Sequence, residues 1–278
     1  MSGPGGSAGP QRATASIPIR PLGRVVAITS GKGGVGKTFV AANLAAALAR
    51  RGQRVLLLDA YLGLTNLDSA LNLIQTSSLH DVFTGKADLG QAIIQAPGGF
   101  SVLLAGLGLL EHARLTPDVR DEFLRVIASL APRYDLVLLD TGAGISDVVL
   151  FSVSLASVVL LVATPELSAL SDAYATVKVL AGQQKRSRIH LVVNHTARLG
   201  DGRAITAQLQ QVLDRYVVSE PGQGIRLSHL ADIPADAAAR QAAVGRQLLW
   251  RTAPACPSAL AVEQLACRLE ETVLIAQA

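Results

Sequence analysis

Gly31-Lys32-Gly33-Gly34-Val35-Gly36-Lys37-Thr38 follows the apolar run VVAIT (25–29) and opens a helical stretch over 38–50. The string fits GxxxxGK[ST], and its placement between a strand and a helix gives it meaning. Glycines let the backbone wrap a phosphate chain with its N–H groups turned inward, and the helix N-terminus adds the positive end of its dipole. In this pattern Lys37 reaches toward the β- and γ-phosphates and the Thr38 hydroxyl toward Mg²⁺. Two carboxylates belong to the same neighbourhood: Asp59 closes RVLLLD (54–59) and Asp140 closes DLVLLD (135–140). In an open parallel sheet the ligand crevice lies beyond the carboxyl ends of the strands, so both point there. Asp140 is the better candidate for holding Mg²⁺ with Thr38; a capping role is the structural alternative for either aspartate.

Outward from the cradle, further apolar runs occur at FSVLLA (100–105), SVVLLVAT (157–164) and IHLVVN (189–194). They are continuous rather than alternating, as expected of strands covered on both faces. Helical stretches are expected at 117–130, 168–184, 202–215, 236–250 and 258–274. The alternation predicts an α/β fold, a mostly parallel sheet flanked by helices. Residues 1–22 are rich in Gly, Ser, Ala and Pro and predict a flexible tail, leaving 23–278 as one domain.

Half of the 278 residues are hydrophobic and 17% are charged, which excludes global disorder. The net charge of +4 is mild and forms no dense basic block, so no direct nucleic-acid partner is expected. The segment holding Arg114, Arg120 and Arg125 reads as a solvated helix face. Cys256 and Cys267 match no zinc or redox spacing, and the five histidines show no ligand pattern. The start lacks a secretory apolar region, and no apolar run reaches membrane-spanning length, so a cytoplasmic location is expected.

Lys32, directly after the first glycine, marks a resemblance to the deviant Walker-A proteins of the MinD/ParA group. Further stretches resemble one branch of it, the flagellar MinD-like ATPases called FlhG or FleN. They are LLDAYLGLTNLD (57–68), LHDVFTGKADLGQAIIQAPGGFSVLLAG (79–106), DTGAGISDVVL (140–150), ATPELSALSDAYATVKVL (163–180), VVNHTA (192–197) and IPADAAARQAAVGRQ (233–247). The resemblance implies a P-loop NTPase using ATP/ADP and Mg²⁺ that forms a homodimer in the ATP state. It also implies work with the flagellar GTPase FlhF, C-ring proteins and a flagellar transcriptional activator, at the membrane surface or cell pole. Under it Gly31 through Thr38 bind the nucleotide, with Lys32 reaching across the dimer, and Lys32, Lys37 and Asp59 form the catalytic set. Asn194 reads the adenine edge and Pro234 lies against the ring. An amide offers both a donor and an acceptor for that task; a strand-end turn role for Asn194 stays open.

The chain departs from this pattern at Tyr61, where relatives carry a second switch aspartate that orients the attacking water. A neutral phenol is a poor proton acceptor at pH 7, so slow hydrolysis is expected, unless Tyr61 merely packs and Asp59 or Asp68 takes over. The tail also lacks the DQAxxLR-type segment, and the last helix (259–278) carries Glu263, Arg268, Glu270 and Glu271 on its polar face, favouring core packing over a membrane anchor. A partition or septum-placing ATPase and a hydrolysis-poor, ATP-bound adaptor are the competing functions.

Overall fold

The computed structural model describes residues 22–61, 67–74, 76–106, 115–198, 200–217 and 224–277, with side-chain surroundings from 25 to 272. The tail expected over 1–22 lies outside them up to residue 21, as do 62–66 of the switch segment and Arg114.

Eight strands form one sheet: β1 (Leu22–Ser30), β2 (Val55–Asp59), β3 (Ile93–Gln95), β4 (Ser101–Leu103), β5 (Leu136–Ala143), β6 (Ala156–Ala163), β7 (Arg188–Thr196) and β8 (Arg226–Pro234). Their order is β3-β4-β2-β5-β1-β6-β7-β8, and every pair is parallel except β3 with β4. The expected apolar runs each contain a strand, because central strands are buried on both faces and tolerate no polar alternation. The chain leaves β1 toward β2 and later returns on its other side through β6, so β1 stands at a topological switch point, where α/β sheets open a crevice.

One face of the sheet is covered by α1 (Lys37–Arg50), α2 (Leu67–Leu71), α9 (Ala237–Val244), α10 (Leu249–Thr252) and α11 (Pro257–Gln277). The other carries α3 (Leu79–Phe83), α4 (Leu89–Ala92), α5 (Pro117–Leu130), α6 (Asp147–Ser154), α7 (Leu167–Gln184) and α8 (Asp201–Tyr216). Helix α1 is buried from Val40 through Leu48. Its alanines allow it to lie between sheet and α11 without a polar face. The single helix expected over 236–250 is instead two, broken after Val244, where Arg246 takes a left-handed φ of 52°. Helix α11 packs Ala259, Val262, Leu265, Ala266 and Leu269 into the core and leaves Leu260 exposed. Among the described residues no helix is long and apolar enough to cross a membrane.

β8 was not expected as a strand, since RLSHLADIP reads as polar. It is an edge, and its outer backbone groups are met by helix side chains. Gln210 of α8 accepts from Leu227 N–H at 2.7 Å and donates to the Ile225 carbonyl at 3.0 Å, standing in for a ninth strand. Arg268 of α11 donates to the Leu230 carbonyl at 2.6 Å.

His190 of β7 is buried, and burial, then Arg188, pushes its pKa down to about 4. It is thus neutral when folded, whereas the unfolded chain takes up a proton below about pH 6.5. Stability is therefore full above that pH and falls as pH drops toward 4, by at most about 1.4 kcal/mol per pH unit. Urea denaturation from pH 7 to 4.5 should show this loss, with a shallower slope in His190→Leu.

Candidate nucleotide site

The parallel register of β2 and β5 sets Asp59 beside Asp140, and Ala60 N–H donates to the Asp140 carbonyl at 2.9 Å. Both carboxylates are buried. Lys37, first residue of α1, carries its ammonium to Asp140 Oδ1 in a close ion pair, with side-chain exposures of 12% and 4%. Asp59 Oδ1 accepts from Tyr61 N–H at 3.0 Å, while Oδ2 is buried with no partner among the described residues. Burial pushes Asp59 up to about 8, the Asp140 carboxylate adds to the rise, and the Tyr61 N–H and Lys37 oppose it.

The hydroxyls of Thr29 and Ser30, at the end of β1, are likewise buried without partners among the described residues. Buried polar atoms at one mouth are normally satisfied by something polar. Beside them Gly33 and Gly34 have open space where a Cβ would stand. Orphaned hydroxyls, an open glycine loop, one ammonium and the Thr38 hydroxyl suit a phosphate chain with Mg²⁺, which takes few protein ligands and keeps water and phosphate oxygens. Among the described residues no cluster of three or more His, Cys, Asp or Glu could hold a metal unaided.

A cavity of about 440 Å³ opens next to the cradle, lined by Gly36, Phe39, Asn194, Pro234, Ala239 and Arg240 among others. Asn194 Nδ2 donates to the Val35 carbonyl at 2.8 Å. One of its two amide hydrogens is therefore engaged by the cradle, and Oδ1 and the second N–H are left for a base. Pro234 is held from behind by Ser258, whose hydroxyl donates to the Pro234 carbonyl at 2.9 Å. Asp236, which the sequence did not single out, caps α9 through Ala238 N–H at 2.8 Å and accepts from Ser258 N–H at 3.2 Å.

Lys32 points away from its own cradle. Its Nζ donates to Ser168 Oγ at 2.8 Å and pairs with Glu166 Oε2 at 3.3 Å. These partners lie in the ATPELS stretch, where their spacing alone carried no signal. The approach is tight because Gly31 abuts the backbone of α7 at Asp172, where no Cβ would fit. Tyr61 lays its ring on Gly142, whose missing Cβ makes the room.

A sequence profile described as an AAA domain matches residues 23–193. The chain is 34% identical to the antiactivator FleN of Pseudomonas aeruginosa, over 89% of this chain and 86% of that protein. The chain belongs to the MinD-like ATPases, in their flagellar branch. The flagellum site-determining protein YlxH of Helicobacter pylori is 29% identical, over 87% of this chain and 80% of that one. The septum site-determining protein MinD of Pyrococcus horikoshii, solved as a complex with Mg-ADP, superposes with a TM-score of 0.72 at 27% identity, covering 91% of this chain and 98% of that one. The MinD-like fold accounts for the mostly parallel sheet with its glycine loop after β1.

Gly36, the N-cap of α1, has φ of 85°, and a Cβ there would strike the Asn194 amide. Gly36→Ala should therefore lose about 1–2 kcal/mol of stability from the left-handed backbone, plus the displaced Asn194 contact. Gly33→Ala, with open space around it, should unfold like the parent in the same thermal-melt series.

Proposed function

We propose that this chain is a slow, ATP-switched regulator of flagellar number and placement. The observation that carries the reading is the constellation at the strand ends: Lys37, Asp140 and Asp59 converge below an open glycine loop. The flagellar reading is supported by FleN, named an antiactivator, and YlxH, named flagellum site-determining. In this scheme the N–H groups of Gly31 through Thr38 cradle the phosphates. Lys37 exchanges Asp140 for the β- and γ-oxygens, and Asp140 turns with Thr38 to hold Mg²⁺. When bound, Mg²⁺ neutralises charge on the phosphates. Asn194 offers its Oδ1 acceptor to the exocyclic amine of adenine. Pro234 lies against the ring.

Lys32 is the dimer element of this reading. Its pair with Glu166 is exposed, 39% and 67%, so by surface ion-pair standards it is worth about 0–1 kcal/mol. A partner's phosphate chain outcompetes so weak a hold, because charge-assisted contacts to several oxygens are stronger. Hydrolysis then returns the protein to the monomer. The flagellar GTPase FlhF, C-ring proteins and a flagellar transcriptional activator belong to the scheme as partners, with the protein cytoplasmic and peripheral at the membrane or pole. Lys32→Ala should keep nucleotide affinity and thermal stability while losing the ATP-dependent dimer. Light scattering after size exclusion, in ADP and in ATP, decides this; a dimer equal to wild type would reduce Lys32 to a surface charge.

Tyr61 sets the rate in the same scheme. Its ring rests on Gly142, two residues past Asp140, and no carboxylate occupies the position that orients water in relatives. Tyr61→Asp should speed single-turnover phosphate release, and a well-placed carboxylate contributes about 10²–10⁴-fold in general-base catalysis. Tyr61→Asn opens the same space without the charge and should not reproduce the gain. No turnover in wild type and no gain in Tyr61→Asp would favour the ATP-bound adaptor, since the packed phenol is the observation that supports it.

A further inference from the structure

A cavity of about 290 Å³ lies outside the nucleotide site, between the start of α8, the edge strand β8 and the middle of α11. Arg203, His229, Asp232, Gln264 and Arg268 line it. Its one carboxylate is already engaged: Asp232 Oδ1 meets His229 Nε2 at 2.8 Å, and Oδ2 accepts from Gly200 N–H at 2.7 Å. That pair is enclosed, with side-chain exposures of 13% for His229 and 6% for Asp232, and Gly202 makes room for it, since a Cβ there would strike both side chains. The first turn of α8 is thus occupied by Asp232 and is not the attraction.

The positive charge at the cavity comes from Arg203 and Arg268. Arg268 is half-buried, and its described hydrogen bond goes to a neutral carbonyl, that of Leu230. Neither Arg203 nor Arg268 has an ion-pair partner among the described residues. Both arginines line one cavity, the partly buried Arg268 and the exposed Arg203, and an anion bound there gains charge-assisted contacts from them. Gln264 adds an amide. His229 is not a further donor: the Asp232 carboxylate only accepts, so Nε2 carries the proton and Nδ1 of the neutral ring is an acceptor. The donors come from two helices, Arg203 from α8 and Gln264 and Arg268 from α11. A planar carboxylate is satisfied by one guanidinium fork, whereas a tetrahedral oxyanion presents oxygens in several directions.

We propose that this cavity binds the phosphate group of a small phosphorylated ligand, with Arg203 and Arg268 as its principal contacts. The site is separate from the cradle, and no MinD-like role assigned above uses these side chains.

The test is calorimetric titration of inorganic phosphate into wild type and Arg203→Ala, both held in saturating Mg·ADP. The cradle is common to the two proteins, so their difference reports the second cavity whether or not the nucleotide reading holds. Saturable binding in wild type, weakened tenfold or more in Arg203→Ala and absent with acetate, is the expected result. Arg203 is exposed, so its removal should leave the melting temperature unchanged. No saturable heat in wild type, equal affinity in the variant, or equal binding of acetate would each overturn the proposal. Sedimentation with phosphatidylglycerol vesicles identifies the source of the phosphate group. Vesicle binding that requires Arg203 assigns a lipid headgroup, and phosphate binding without it assigns a soluble ligand; both outcomes support the site.

Discussion

Two carboxylates held side by side at the ends of adjacent parallel strands are tolerable only with a cation between or above them. In this protein Lys37 is that cation. The register of β2 on β5 puts Asp59 next to Asp140, and α1 begins where its first side chain can reach Asp140. The cost of the arrangement is visible in Asp59, whose buried carboxyl is driven up to about 8 by burial and by Asp140. Asp59 thus holds its proton near neutral pH, and Lys37 with Asp140 is left as the charged pair that an arriving phosphate chain and its cation would separate. The glycine loop, the switch-point position of β1 and the orphaned hydroxyls of Thr29 and Ser30 are arranged around that pair.

The central sheet was legible because its strands are buried on both faces. Runs such as VLLLD and LVLLD can be little else between helical stretches. Beyond the centre this signal faded. β8 carries Arg226, Ser228, His229 and Asp232, because one edge of it faces helix side chains rather than another strand. β3 is three residues long, too short for any pattern. Helix α6, DVVLFSVS, is apolar all round and shows no helical stripe. The break between α9 and α10 rests on one left-handed residue, Arg246, which no propensity marks.

The site divides along the same line. Gly31 to Thr38, Asp59 and Asp140 stand out because they are punctuation at element ends, where position follows from topology. Side-chain pairing across the fold does not show in one sequence. The bonds from Asn194 to Val35, from Lys32 to Glu166 and Ser168, and the rest of Tyr61 on Gly142 join residues 159, 134, 136 and 81 positions apart. They decide which groups stay available: the amide of Asn194 is left with its acceptor and one N–H, and the ammonium of Lys32 is held outside its own cradle.

The sealed margins of the sheet bear on how copies of this chain can assemble. On one side Gln210 and Arg268 fill the outer hydrogen-bonding positions of β8; on the other the sheet ends in the short antiparallel β3. A strand from another molecule thus finds little backbone to pair with at either margin. Pairing of one sheet edge with the opposite edge of the next copy is head-to-tail and runs on into fibres, whereas contact through one self-complementary face stops at two. Blunt margins therefore bias any self-association toward a finite count.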